Sequence, residues 1–164
     1  MAPRAKPIRT RAAGIVLRDG MLLVMFRRRD GREYCTFPGG MIEKDESPEE
    51  AVVREIKEET TIEATVERLC YELRQAEGSP YRNMQEYFFL CAYDNGEPAL
   101  AADSIERRIN DLDRNYFEPK WMKISDLQKD IPLFPTEVAE QFFYDVEHGF
   151  PETPVMVEGN TIGG

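Results

Sequence analysis

Histidine, tryptophan, cysteine and long apolar runs are what this 164-residue chain has least of, with one His, one Trp and three Cys. Cys35, Cys70 and Cys91 are too few and too far apart for a disulfide framework or a zinc ribbon, and their odd number leaves at least one unpaired. Reduced thiols, and with them a cytoplasmic location, are the expectation. His148, near the chain end, is the single histidine, with no second one to form a conventional Cys-His nucleophile pair, so Cys35 reads as a small hydrophobe. No apolar stretch approaches the roughly 20 residues of a membrane span. The first eleven residues carry Arg4, Lys6, Arg9 and Arg11 without an acid but lack the apolar core of a secretory signal, which leaves a transit peptide as the lesser reading. Basic residues are also short, 21 against 31 acidic, a net charge of -10, which disfavours a nucleic-acid polymer as partner. There are no internal repeats and no low-complexity tracts.

What is present suits one soluble domain: 41% hydrophobic and 32% charged residues, enough for a single core. Residues 1–9 read as a flexible N-terminus, 10–148 as the domain and 149–164 as a C-terminal tail. Two strands within Arg11 to Arg28 flank the Asp19-Gly20 turn, and a second turn at Asp30-Gly31 leads to a short strand from Glu33 to Phe37. Pro38-Gly39-Gly40 reads as a loop. Ser47-Pro48-Glu49-Glu50 combines an N-cap, a first-turn proline and the Glu of a capping box, so a helix starts there. Further strands are expected at Ile62 to Arg74 and Glu86 to Tyr93, with Asp94-Asn95-Gly96 as a turn. A short strand at Tyr116 to Met122 is expected to be interrupted by Pro119, followed by a helical turn at Ser125 to Leu127. Thr136 to His148 repeats Val138, Phe142, Phe143 and Val146 at helical spacing with Thr136 as cap. Mixed strands and flanking helices make the class α/β or α+β.

Glu55, Glu58 and Glu59 stand at i, i+3 and i+4, so at about 100° per residue they share one flank of the predicted helix. Val52, Val53 and Ile56 form an apolar stripe beside them. Like charges four apart weaken an isolated helix, and a divalent cation reverses that sign. Hard cations such as Mg2+ take carboxylate oxygens together with substrate phosphates. The plainer alternative is a solvated acidic face.

The longer stretch decides between them. From Gly40 to Ile62, the positions Gly40, Glu46, Arg54, Glu55, Ile56, Glu58, Glu59 and Ile62 resemble the Nudix box at its required spacing. One position departs from it: Thr61 stands where the box has its second glycine. β-Branched Thr suits positive φ poorly, so the helix exit is expected to differ from the family's.

The resemblance implies a Nudix-like mixed β-sheet sandwiched between α-helices. It further implies hydrolysis, dependent on Mg2+ or Mn2+, of a nucleoside diphosphate linked to another moiety. Glu55, Glu58 and Glu59 would be the metal ligands, with Glu55, Glu58 and Arg54 catalytic. Arg54 would orient its neighbours with Glu46 as partner, and Gly40 would permit the tight loop. Arg28 and Arg32, from the cluster Arg27, Arg28, Arg29 and Arg32, are candidates for phosphate recognition; a charged strand edge is the alternative. Glu86 and Glu118 are candidates for the further acid that family members place beyond the box. A small-molecule nucleotide is the implied partner, with no nucleic-acid polymer and no membrane, and a homodimer is plausible. Pro80 and Tyr81, near positions that mark substrate classes in the family, are out of register and choose no substrate. An oxidised nucleoside triphosphate is a second substrate reading, and a nucleotide-binding regulatory module without turnover is the rival function.

Overall fold

The computed structural model describes residues 9–75, 84–100 and 115–159. Strand β1 (Arg9–Arg18) turns at Asp19 and Gly20, both at positive φ, into β2 (Met21–Arg29). Asp30 and Gly31 repeat that turn before β3 (Arg32–Thr36). Paired left-handed residues match the right-handed twist of hairpin strands, which is why Asp-Gly recurs at both tips. Next come β4 (Gly39–Met41), α1 (Pro48–Thr60), β5 (Glu63–Arg74), β6 (Met84–Asn95), β7 (Asn115–Lys123), α2 (Ile124–Lys129), β8 (Leu133–Phe134), α3 (Thr136–His148) and β9 (Val155–Glu158).

The strands form a mixed sheet in the order β8-β3-β2-β1-β6-β5-β9, with β4 added to β1 and β7 to β2. The β1/β6, β3/β8 and β5/β9 pairs are parallel and the rest antiparallel. Alternation along β1 separates two cores. Ala13 and Ile15 join Phe37, Tyr71, Phe88 and Phe142 under α3, while Ala12 and Val16 join Leu23, Val52, Ile56 and Phe89 under α1. The sheet therefore lies between helices, the expected α+β arrangement. Gly14 lets α1 come close, since a Cβ there would stand 2.5 Å from Ile56 Cδ1. No helix among the described residues is long and apolar enough to cross a membrane.

Several local expectations need correction. Gly39 to Met41 is a strand rather than a loop, because its backbone pairs with Arg11 to Ala13. Pro119 does not interrupt β7, which runs unbroken along β2 with Pro119 opposite Met25. Part of the supposed tail is β9, pairing Val155 to Glu158 with Tyr71 to Arg74, and Arg9 belongs to β1 rather than to a flexible end. The cap of α3 is Pro135, not Thr136, and no side-chain hydrogen bond closes it. Val146 packs partly buried against the core as expected, and Asp145 beside it is buried too, accepting hydrogen bonds from Tyr71 Oη at 2.5 Å and Gln141 Nε2 at 3.1 Å. The remaining N-terminal residues, and Pro80 and Tyr81, lie outside the described residues.

Candidate active site

Helix α1 carries the acids, and its start is fixed locally. Ser47 Oγ accepts from Glu50 N at 3.1 Å, and Ser47 N donates back to the Glu50 carboxylate at 3.4 Å, with Pro48 in the first turn. Val52 and Ile56 are fully buried beneath the helix, which turns Arg54, Glu55, Glu58 and Glu59 toward its rim.

Arg54 ties these groups together. Its guanidinium donates to Glu46 through Nε at 2.7 Å and Nη2 at 2.9 Å, to Glu55 at 2.8 Å, to Glu58 at 3.1 Å and to the Met41 carbonyl at 3.1 Å. The forked contact holds the Glu46 carboxyl down to about 2, while burial pushes Glu55 up against the lowering effect of Arg54. Glu55 is covered, its side chain 14% exposed, whereas Glu58 is 59% exposed and faces solvent. Glu59 accepts from Gly39 N at 3.1 Å, joining the helix to β4. Gly40 leaves room for the same packing, since a Cβ there would stand 2.5 Å from the Glu55 carboxylate. Among the described residues no three acids, thiols or imidazoles stand together as a ready-made cation cage, and the Arg54 guanidinium lies among Glu46, Glu55 and Glu58.

The exit of α1 corrects the expectation for Thr61. It adopts the left-handed conformation itself, φ 63° and ψ 2°, with its N–H on the Lys57 carbonyl at 2.9 Å. Its hydroxyl donates to Glu97 O at 2.7 Å, and Ala99 N donates to Thr60 O at 2.9 Å. The segment after β6 thus holds the helix end in the shape that glycine takes freely.

Beside Glu59 opens a cavity of about 370 Å3, within the range of small-molecule sites. Arg11, Arg27, Glu59 and Glu86 supply its charges, Phe37, Phe88, Phe117 and Phe134 its apolar wall, and Met25, Thr36, Gly39 and Pro135 complete the lining. Arg11 Nε donates to Glu86 Oε2 at 2.7 Å across the parallel β1/β6 pair, and burial pushes the Glu86 carboxyl up against that contact. Arg27 lies over the Phe117 ring, 4.3 Å from its centroid.

Glu86 is therefore the candidate acid beyond the box that reaches the cavity. Glu118 and Arg28 do not, and the reason is alternation. Arg27 and its partner Phe117 occupy one face of the β2/β7 pair, and Arg28 with Tyr116 and Glu118 with Phe26 the other. There Arg28 pairs with Glu33 at 3.7 Å, and Glu118 accepts from Tyr116 Oη at 3.0 Å. Arg32 borders a separate recess at the hairpin tip. Strand period, counted outward from buried Met25, singles out Arg27 over Arg28, whereas Arg11 and Phe117 reach the cavity only through the sheet register. Cys35 is fully buried with its thiol pushed up to about 12 by burial, and partly buried Trp121 packs against the core beside Tyr93, edge-on at 5.7 Å.

The NUDIX domain family model matches residues 8–142. The chain is 33% identical over 100 residues to the ADP-ribose pyrophosphatase of Methanocaldococcus jannaschii, covering 60% of this chain and 59% of that protein. It is 44% identical over 92 residues to a MutT-like protein of Streptomyces ambofaciens, covering 56% of each. These matches therefore span a little over half of each curated relative. In fold it is similar to a NUDIX hydrolase from Nitrosomonas europaea, with a TM-score of 0.70 at 14% identity over 94% of this chain and 81% of that one.

Proposed function

This chain belongs to the NUDIX domain family, and from that premise we propose that it hydrolyses a nucleoside diphosphate linked to a second moiety. The observation that carries the reading is the Arg54 network with Glu55 and Glu58 on the helix flank whose next acid, Glu59, lines a cavity together with Arg11 and Arg27. The donor set fits a hard divalent ion. Glu55, Glu58 and Glu59 offer only carboxylate oxygen from one helix flank, the donor type that hard cations take. Those three residues would hold Mg2+ or Mn2+, which supplies charge neutralisation at the phosphates and acidifies a bound water.

The chain's own groups do the rest. Arg54 positions Glu55 and Glu58, and Gly39 N positions Glu59. Arg11 and Arg27 receive phosphate oxygens, and the phenylalanine wall takes an apolar or aromatic part of the substrate. Glu55 or Glu58 accepts the proton of the attacking water through a carboxylate oxygen. The water oxygen bonds to one phosphorus as the bridging P–O bond breaks, leaving two phosphorylated products. A small-molecule nucleotide derivative as substrate, a cytoplasmic setting and a homodimer belong to the same reading.

The test is a panel of ADP-ribose, dinucleoside polyphosphates, nucleotide sugars and normal or oxidised nucleoside triphosphates, assayed with Mg2+ or Mn2+. Monophosphate release is expected for at least one class. Glu58→Gln should lower kcat by roughly 100-fold or more. Tight binding without turnover across the panel would replace the hydrolase with a regulatory binding module, and full activity in Glu58→Gln would remove that residue from the chemistry.

A further inference from the structure

The β2–β3 hairpin carries more cationic charge than the cavity uses. Arg29 and Arg32 face each other directly across its tip, next to the Asp30-Gly31 turn. Like charges directly opposite on antiparallel strands repel, and neither arginine has an ion-pair partner among the described residues. An anion between them would reverse the sign of that contact.

Strand period says which way they point. Residues 25, 27 and 29 of β2 share one face, and register brings Thr36, Tyr34 and Arg32 onto the same face. Met25, Arg27 and Thr36 line the cavity, so Arg29 and Arg32 continue the cavity face outward. Successive same-face positions are about 6.6 to 6.8 Å apart, a step comparable to the spacing of phosphate groups across a ribose.

The outer recess, about 780 Å3 and open, is bordered by Arg29, Arg32, Tyr34 and Phe134. Phe134 lines both spaces, and Tyr34 touches both Phe134, at 5.7 Å between ring centroids, and Arg27, at 5.4 Å. The two spaces thus share one wall residue, Phe134, with Tyr34 packed against it. Asp30 and Glu33 also border the recess, but Glu33 is paired with Arg28.

We propose that Arg29 and Arg32 form an outer anion subsite that receives a second phosphate carried on the nucleoside end of the substrate, beyond the diphosphate that is cleaved. The proposal rests on the hydrolase reading of the inner site and narrows it. The ligand class is a nucleoside diphosphate derivative whose ribose bears an additional 2′- or 3′-phosphate.

Two matched pairs test it: ADP-ribose with its 2′-phosphate, and dephospho-coenzyme A with coenzyme A. In the wild-type protein the phosphorylated member of at least one pair should have the higher kcat/KM, by about tenfold for a charge-assisted contact. In Arg29→Gln/Arg32→Gln that ratio should fall toward one, and in Arg28→Gln, on the opposite face, it should stay. The same ratios are read as Kd by calorimetry in EDTA, which needs no turnover. Equal values within both pairs for the wild-type protein, or a ratio untouched by the double substitution, overturns the subsite. A binding ratio that behaves as expected in a protein that hydrolyses nothing overturns the hydrolase reading and leaves the subsite standing.

Discussion

Thr61 sits in a backbone conformation that costs a β-branched residue roughly 1–2 kcal/mol, and its hydroxyl bond to Glu97 O offsets part of that. The two effects separate by substitution. Thr61→Gly removes the strain and the bond together, so stability should change by less than about 1 kcal/mol. Thr61→Val keeps the strain and loses the bond, so it should be less stable than the glycine variant by about 1 to 2 kcal/mol. Urea titration of the three proteins compares them, and a valine variant as stable as glycine would refute the account. The position shows where reading a sequence stops. Thr in place of Gly signals a problem at the helix exit, but the solution comes from Glu97, 36 positions away. Asp145 was hidden for the same reason, since its partner Tyr71 lies on a strand made much earlier. Arg54 with Glu46 came from the resemblance, and the two stand eight positions apart within one local turn-and-helix unit.

At the scale of elements, the start of α1 was readable to the residue because its signals are local: cap, first-turn proline and reciprocal glutamate; of the expected stripe, Val52 and Ile56 are buried and Val53 is exposed. Ser47→Ala should destabilise the protein by about 1 kcal/mol, lowering the melting temperature by roughly 2–4 °C at this size. Activity at low temperature should persist, since Ser47 touches none of the cavity groups. A calorimetric scan decides it; an unchanged melting temperature would mean that packing of Val52 and Ile56 alone sets the start of the helix. The strands β4 and β9 were not legible, being 3 and 4 residues long and defined by partners far away in sequence. Nor did Pro119 end β7. Proline lacks only the N–H, and β7 lies off the main path of the sheet, paired on the β2 side, where such a gap is tolerated.

Across the whole molecule, charge is distributed against its own average. The net value of -10 predicts repulsion of anions, yet the cavity face gathers Arg11, Arg27, Arg29 and Arg32. A bulk count carries no information about such a gathering, which needs the sheet register to be seen. The outer boundary of the sheet matters too. Strand β9 covers β5 from Tyr71 to Arg74, and Arg68 Nε reaches the Pro151 carbonyl at 3.0 Å, so the segment after α3 is fastened at two places. A chain ending at Pro154 should melt lower than the full chain and form concentration-dependent aggregates through the bared β5 edge. Light scattering during a thermal ramp reports both, and identical curves would show β9 to be dispensable.

The parallel β5/β9 pair has a consequence for how cells make this protein. Translation delivers β5 well before α3, and β9 only after it, so several seconds of synthesis separate a strand from its covering partner. On a busy messenger, neighbouring nascent chains expose the same unpaired edge at the same time. Slow decoding between the codons for Tyr71 and Val155 would lengthen that interval, which makes synonymous codon choice over this span a determinant of soluble yield without altering a single residue.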